Sequence, residues 1–535
     1  MGKSICVLVF TVFLSFFSQA APVQKTKVVI GIVIDQMRAD YLTNFNHVYG
    51  NNGFNLLKNN GAWFTNCYIN YLPAYTGPGH ASIYTGSVPG INGIVGNNWY
   101  DASLAKNVYC VQDTTESAIG GSLNLGKISP RNLKVTTVTD ELRLSNNFSS
   151  RTFSVSLKDR GAVLPGGHSA NAAYWMEDEN GHFMTSTYYS KNLPSWVNLF
   201  NRQEKAREYL NQTWNPLYGE SKYLYTESDE NEFEGRFGDA QNTSFPHSFK
   251  NQKGGYIKRT PYGNSILFDF AKEAILNENI GKRGATDFLA LSFSATDYVG
   301  HIFGPNSWEV EDTYARLDQD LARFIRFLNQ QYGKEGYLLF LTADHGAAHN
   351  PNYLKSKKML AAYFFDQKEQ LALNEALEKQ FGKKDLCIRL MNCQVYLNHT
   401  IIEDGTEKNQ IENSIIEYFK KHELVQIAFQ SDRIANVPLP NFLKQYYQNS
   451  FFPSRSGDLS LLFYPGVLDA YSTTGTSHGA WSAYDSHIPL LFYGAGLVPK
   501  KSSQKVYMTD IAPTLCNLLG IAAPNGSVGN VIIHE

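Results

Sequence analysis

Four stretches of the chain are apolar almost without interruption. Residues 27–35 read KVVIGIVID, 287–293 DFLALSF, 337–342 YLLFLT and 488–494 IPLLFYG. Runs of this length without polar alternation predict strands covered on both faces of a sheet. From Glu309 to Asn329 the pattern changes: Tyr314, Leu317, Leu321, Phe324, Ile325 and Leu328 recur at steps of three and four, which predicts an amphipathic helix lying on that sheet. Thr509 to Leu519 repeats the pattern, with Thr509 as the expected cap. Buried strands alternating with such helices define an α/β fold, a mostly parallel central sheet with helices on both faces. Residues from about 165 to 265 and from about 350 to 475 have a different texture and are expected to be insertions capping the strand ends. No internal repeat or low-complexity tract interrupts the pattern.

In an open α/β sheet, ligands bind beyond the carboxyl ends of the strands. Asp35 follows the first apolar run, Ser294-Ala295-Thr296-Asp297 the second, and Ala343-Asp344-His345-Gly346 the third. Three strand ends therefore deliver carboxylates to one edge.

The N-terminus does not belong to this fold. Met1-Gly2-Lys3 gives a positive start, Ile5 to Phe17 is apolar, and Ser18-Gln19-Ala20 offers small residues for cleavage. Residues 1–20 read as a signal peptide and 21–535 as one catalytic domain with its insertions, exported to a periplasm or secreted. The apolar run is shorter than the roughly 20 residues a membrane span needs, and no later stretch is long enough without charges. Lys and Arg number 47 against 49 Asp and Glu, a net charge of −2, so no basic field attracts a nucleic-acid polymer or an anionic membrane. Anion binding must be local. Cys67, Cys110, Cys387, Cys393 and Cys516 remain after cleavage, enough for at most two disulfides and in no CxxC pattern, so a metal must be held by histidines and carboxylates.

Asp297 and His301 stand four apart, a spacing that lets both reach one ion from a single helical turn. Asp344 and His345 are adjacent at a strand end, and His478 lies in a loop of small residues, TSHGA. A thiolate-free set rich in imidazole suits zinc better than magnesium or manganese, and six ligands suffice for two ions. In TGPGH, Thr76 precedes a helix whose first turn tolerates Pro78, so its hydroxyl sits at or near an N-cap, where an anion is favoured. Alone, Thr76 reads as an ordinary capping residue; beside a metal set it reads as a nucleophile. Lys158 and Arg160 alternate across Asp159 and share a face if the chain is extended there.

These motifs, IVIDQMRADYL, TGPGH, NNWYD, LKDRGA, ATDYVGH, TADHG and GTSHGA, taken in order, resemble the alkaline phosphatase superfamily. Within it, the chain is similar to the bacterial phosphate-irrepressible (PafA-type) alkaline phosphatases over essentially its whole mature length. The resemblance implies a three-layer sandwich. It also implies two zinc ions, one held by Asp297, His301 and His478 and the other by Asp35, Asp344 and His345 with Thr76 beside it. Asn97, Lys158 and Arg160 would bind the phosphoryl oxygens. The implied activity is hydrolysis of small phosphomonoesters through a phosphothreonine, with broad specificity and release of inorganic phosphate.

Thr76 and Lys158 argue against a third, magnesium site, and no Cys- or Ser-x-Pro-x-Arg pattern marks a sulfatase. His80, His349 and His487 are expected in supporting roles. The alternatives are a phosphodiesterase or nucleotide pyrophosphatase on the same bimetal core and, more remotely, a non-catalytic zinc-binding surface protein. A monomer is compatible with the sequence, which leaves oligomeric state open.

Overall fold

The computed structural model describes residues 26–122, 126–238 and 240–533. The signal-peptide segment lies outside them. An eleven-stranded sheet forms the centre. Val28–Ile34 lies between Tyr337–Thr342 and Asp287–Phe293, parallel to both, and Asp287–Phe293 continues in parallel to Thr152–Ser156 and Ala172–Met176. Every residue of the first three strands is buried, as their unbroken apolar runs require.

The sheet is mixed: parallel pairings predominate, as expected, and antiparallel strands stand at both sides. His487–Gly494 is antiparallel to Tyr337–Thr342 and to Ala62–Tyr68, and Phe183–Ser186 is antiparallel to Ala172–Met176. An apolar run reports two covered faces and carries no information on direction, so IPLLFYG could not reveal its orientation. The stretch beginning at 165 also opens with two strands of this sheet, Ala172–Met176 and Phe183–Ser186, both buried throughout.

Helices cover both faces. Tyr84, on helix Thr76–Thr85, packs its ring against Phe288 and Phe340, whereas Phe268, on helix Tyr262–Asn277, meets Phe293 and Phe324. Phe288 and Phe293 are an odd number of residues apart on one strand and so point to opposite faces. Phe324 belongs to helix Trp308–Tyr332, whose predicted apolar stripe is buried. Near the C-terminus Thr509 falls within a short 3-10 turn instead of capping; helix Ile511–Leu519 starts after Asp510, whose carboxylate accepts from Tyr507 N at 2.8 Å.

A second, four-stranded antiparallel sheet of Cys387–Met391, Gln394–Leu397, Leu459–Phe463 and Val425–Gln430 has its own core, with helices Asp366–Phe381 and Gly405–Lys420. Cys67, Cys110, Cys387, Cys393 and Cys516 are all unpaired thiols. Cys387 opens a hairpin and Cys393 stands in its turn, so strand pairing keeps these two apart.

The register fixes the site. Val33 pairs with Thr342 and Ile34 with Phe293. Asp35, Ser294 and Ala343 therefore leave the sheet at the same level.

Candidate active site

Asp35 and Asp344 are fully buried where their strands end. Asp344 Oδ1 accepts from the backbone N–H of Gln36 at 3.2 Å and of His345 at 3.0 Å. Asp35 Oδ2 accepts from Lys158 Nζ at 2.7 Å, while Asp35 Oδ1 lies 3.3 Å from His345 Nε2. Asp297 and His301 share one turn of helix Ala295–Phe303, as their spacing predicts, with His301 Nε2 3.2 Å from Asp297 Oδ1.

The three imidazoles are oriented alike. Nδ1 of His301 faces Thr476 O at 2.8 Å, that of His345 faces Gly346 O at 3.0 Å, and that of His478 faces Ala74 O at 2.7 Å. A carbonyl only accepts, so each Nδ1 carries the proton and each Nε2 is left with its lone pair. All three Nε2 atoms point to the carboxylates. The donor atoms of Asp35, Asp344 and His345 lie within 4.8 Å of one another, as do those of Asp297, His345 and His478. His345 thus belongs to both groups. His301 reaches Asp297 from outside the tighter second group.

Asp35 Oδ1 and Asp344 Oδ2 are buried without a hydrogen-bond donor among the described residues. Carboxylate oxygens and imidazole lone pairs gathered out of water without donors suit a cation, and this donor chemistry fits divalent metal. Burial, then repulsion from Asp297 and Asp344, drives the Asp35 carboxyl well above its ordinary range. Burial acts the same way on Asp297, but His301 and Lys158 outweigh it and hold that carboxyl well below. Burial and the neighbouring His345 ring, stacked at 3.5 Å between centroids, keep His478 neutral.

Thr76 is the first residue of its helix, one position past the cap at Tyr75. Since His345 Nε2 is an acceptor, the Thr76 hydroxyl donates toward it across 3.4 Å. Gly79, one turn further on, explains the spacing of TGPGH: a Cβ there would stand 2.6 Å from both Cβ and the carbonyl oxygen of Asp344. Only a residue without a side chain lets the helix lie against that strand end. His80 Nδ1 donates to Thr76 O at 2.9 Å and lies 3.3 Å from Asp344 Oδ2, and its Nε2 accepts from Ser292 Oγ at 2.8 Å. It supports the site, whereas His487 Nε2 bonds Thr65 O at 2.9 Å and His349 pairs with Asn306 at 2.7 Å.

Asn97 Oδ1 accepts from Gly77 N at 2.7 Å, leaving the amide N–H groups of Asn97 as its donors toward a ligand. Lys158 and Arg160 are not on an extended strand as expected: Lys158 caps helix Asp159–Gly166 and Arg160 lies in its first turn. The buried Lys158 amine bridges Asp35 and Asp297, so it stands between the two ligand groups. Arg160 Nη1 donates to the hydroxyl oxygen of Tyr109 at 3.2 Å, and that hydroxyl in turn donates to Asp159 Oδ1.

Two supporting residues carried no sequence signal. Gln36 takes a positive φ of 65° at the strand end, and its Nε2 donates to Asp297 Oδ1 at 2.8 Å, linking the strand ends. Asp485 accepts from Ala480 N at 2.7 Å through its carboxylate and from Gly346 N at 2.8 Å through its carbonyl, tying the His478 and His345 loops together.

Buried carboxylates and imidazoles grouped at the carboxyl edge of an α/β sheet, with a hydroxyl at a helix N-terminus, form a candidate metal site suited to phosphoryl transfer. A family model described as type I phosphodiesterase / nucleotide pyrophosphatase matches residues 29–485, and the chain belongs to that family of the alkaline phosphatase superfamily. It is 47% identical to alkaline phosphatase PhoV of Synechococcus elongatus, covering 95% of this chain and 93% of that one. It is 43% identical to a Myroides odoratus protein named calcium-transporting ATPase, covering 99% and 98%, and 43% identical to alkaline phosphatase PafA of Elizabethkingia meningoseptica, covering 95% and 94%. A crystal structure of wild-type PafA superposes with a TM-score of 0.92 at 42% identity, covering 95% of this chain and 98% of that one. The chain falls in the alkaline phosphatase branch.

Proposed function

We propose that the chain is an exported phosphomonoesterase of broad specificity in which Thr76 is the nucleophile. Asp35, Asp344 and His345 would hold one zinc ion, and Asp297, His301 and His478 a second, with His345 close to both. Bound there, two ions supply the positive charge that lowers the pKa of a hydroxyl and stabilises a departing oxygen. The helix N-terminus and its Asn97 bond present Thr76 Oγ1 to phosphorus. The Thr76–phosphorus bond forms as the ester oxygen leaves with its electron pair, and water then cleaves the phosphothreonine to release inorganic phosphate.

Lys158, Arg160 and Asn97 are the donors for the non-bridging oxygens, Arg160 as a fork and Lys158 as a compact charge. A second solved PafA structure is of a mutant altered at one threonine, one asparagine, one lysine and one arginine, the residue types that Thr76, Asn97, Lys158 and Arg160 supply here, which supports the grouping. Among the described residues no helix is long and apolar enough to cross a membrane. The export assignment rests on residues 1–20, and the reading of 21–535 as one catalytic domain on the shared sheet edge.

The observation that carries this reading is the Thr76 hydroxyl facing His345 Nε2 at 3.4 Å beside the buried oxygens Asp35 Oδ1 and Asp344 Oδ2, which have no donor among the described residues. Acid quench during turnover of a phosphomonoester should trap phosphate on Thr76, and Thr76→Ala should abolish turnover while retaining metal. Unchanged turnover in Thr76→Ala overturns the assignment. The family model's description favours a phosphodiesterase as the second reading. A higher kcat/KM for a methyl diester than for the corresponding monoester would establish that reading instead.

A further inference from the structure

Asn97 ends the loop of residues 93–97, directly before strand Asn98–Asp101, and that segment is gripped from outside the main sheet. Asn392 and Cys393 form the two-residue turn between Cys387–Met391 and Gln394–Leu397, with φ of 57° and 56°. Two successive positive φ values are the type I′ hairpin geometry. The turn directs Asn392 Nδ2 onto the carbonyl oxygen of Asn98, to which it donates at 2.7 Å.

A second hold comes from Arg455, which stands in the turn before strand Leu459–Phe463 and whose carbonyl accepts from the Tyr396 hydroxyl of the hairpin at 3.2 Å. Arg455 is buried; its Nη1 donates to Gly93 O and, at 2.9 Å, to Asn132 O, and its guanidinium lies 4.9 Å over the Trp99 ring. Tyr396 of the hairpin meets Tyr100 edge-on at 6.2 Å. On its inner side the loop is fixed by Asn97 itself, whose carbonyl accepts from Cys110 N at 2.9 Å and whose Oδ1 accepts from Gly77 N. Contacts from the four-stranded unit therefore fall on both flanks of Asn97, at Gly93 and at Asn98, and none falls on the groups through which Asn97 would meet a ligand.

We propose that Asn392, with Arg455, is a positioning residue for Asn97: the four-stranded unit sets where the Asn97 amide meets the transferred phosphoryl group. Asn392 holds the carbonyl of Asn98, the residue after Asn97 and the first of strand Asn98–Asp101, so releasing it lets the end of the loop rock about the Asn97–Cys110 bond and carries the amide off its line.

The inference rests on the reading of Asn97 as a phosphoryl ligand, and a double-mutant cycle lets the two fail separately. Asn392→Gly removes the amide donor while keeping a residue at ease with positive φ. We expect kcat/KM for a phosphomonoester to fall about fivefold to tenfold, mostly in kcat, with the thermal midpoint unchanged, and to change less than about twofold when Asn97 is already alanine. Arg455→Lys, which keeps the charge but loses the fork, should show the same dependence on Asn97.

Equal losses with and without Asn97, or no loss in either single variant, overturn the positioning role. Full activity in Asn97→Ala alone removes the reading beneath it, and the proposal with it.

Discussion

Replacing Gly79 by alanine separates two free energies that act on the same helix. The added methyl would stand 2.6 Å from Asp344 Cβ and O and 2.9 Å from Asp344 Cα. Ordinary carbon contacts are about 3.5–4.0 Å, so the helix must retreat by about 1 Å, and backbone atoms cannot swing aside as a flexible side chain would. Overpacking of this kind costs about 1–3 kcal/mol, while alanine in a helix is favoured over glycine by about 1 kcal/mol, leaving a net stability loss of about 0–2 kcal/mol. Thr76 begins the helix that must retreat, and Asp344 and His345 are what it retreats from. A displacement of about 1 Å of a reacting group lowers rate by about 100-fold, or about 2.7 kcal/mol in barrier. Activity should therefore fall much further than stability. Steady-state kcat/KM with a chromogenic phosphomonoester, alongside a denaturant titration of the same preparation, measures both. A folded variant with kcat/KM within about threefold of the parent would show that the helix can shift without carrying Thr76, and the reasoning would fail.

Lys158→Ala and Arg160→Ala should each depress kcat/KM for a monoester far more than for its methyl diester, because the dianionic group presents more negative charge to them; equal losses would remove their role in discrimination. Asp297→Ala should reduce bound metal by about one equivalent per chain, read by elemental analysis, whereas full metal content would exclude Asp297 as a ligand. Glu234 is buried, both its carboxylate oxygens lack partners, and burial followed by repulsion from Glu309 pushes it from 4.5 to about 11. The folded chain keeps this acid protonated while the unfolded chain ionises it, so the stability linked to it is full below pH 4.5 and is lost progressively as pH rises toward 11. Glu234→Gln should therefore raise the thermal midpoint at pH 8 and change it little at pH 4; a lower midpoint at pH 8 would mean that the carboxylate is ionised and partnered.

The core strands and the long helix were legible because burial writes itself into apolar periodicity. Asp35, Asp297 and Asp344 could be placed on one edge for the same reason, since each follows such a run. Strand direction left no trace in IPLLFYG. The start of the Lys158 helix was missed because the polar Lys-Asp-Arg triplet shows no periodicity, and its helical geometry comes from the packing that follows it. Gln36 was invisible for a different reason: an uncommon backbone angle in a non-glycine residue is imposed by its surroundings. The ligand residues were named from the motifs and grouped only through the family resemblance; that His345 stands in reach of both groups depends on side-chain directions, which no motif carries.

The His478–Ala74 hydrogen bond joins positions 404 residues apart, and the two carboxylate–imidazole groups draw on residues from Asp35 to His478. A ribosome delivers these in order, so the first carboxylate is made long before the last imidazole. A nascent chain that stops before residue 478 lacks the His478 imidazole, so the Asp297–His345–His478 group cannot assemble in it. The grouping is thereby made by long-range folding, and no local segment of the chain can carry it alone.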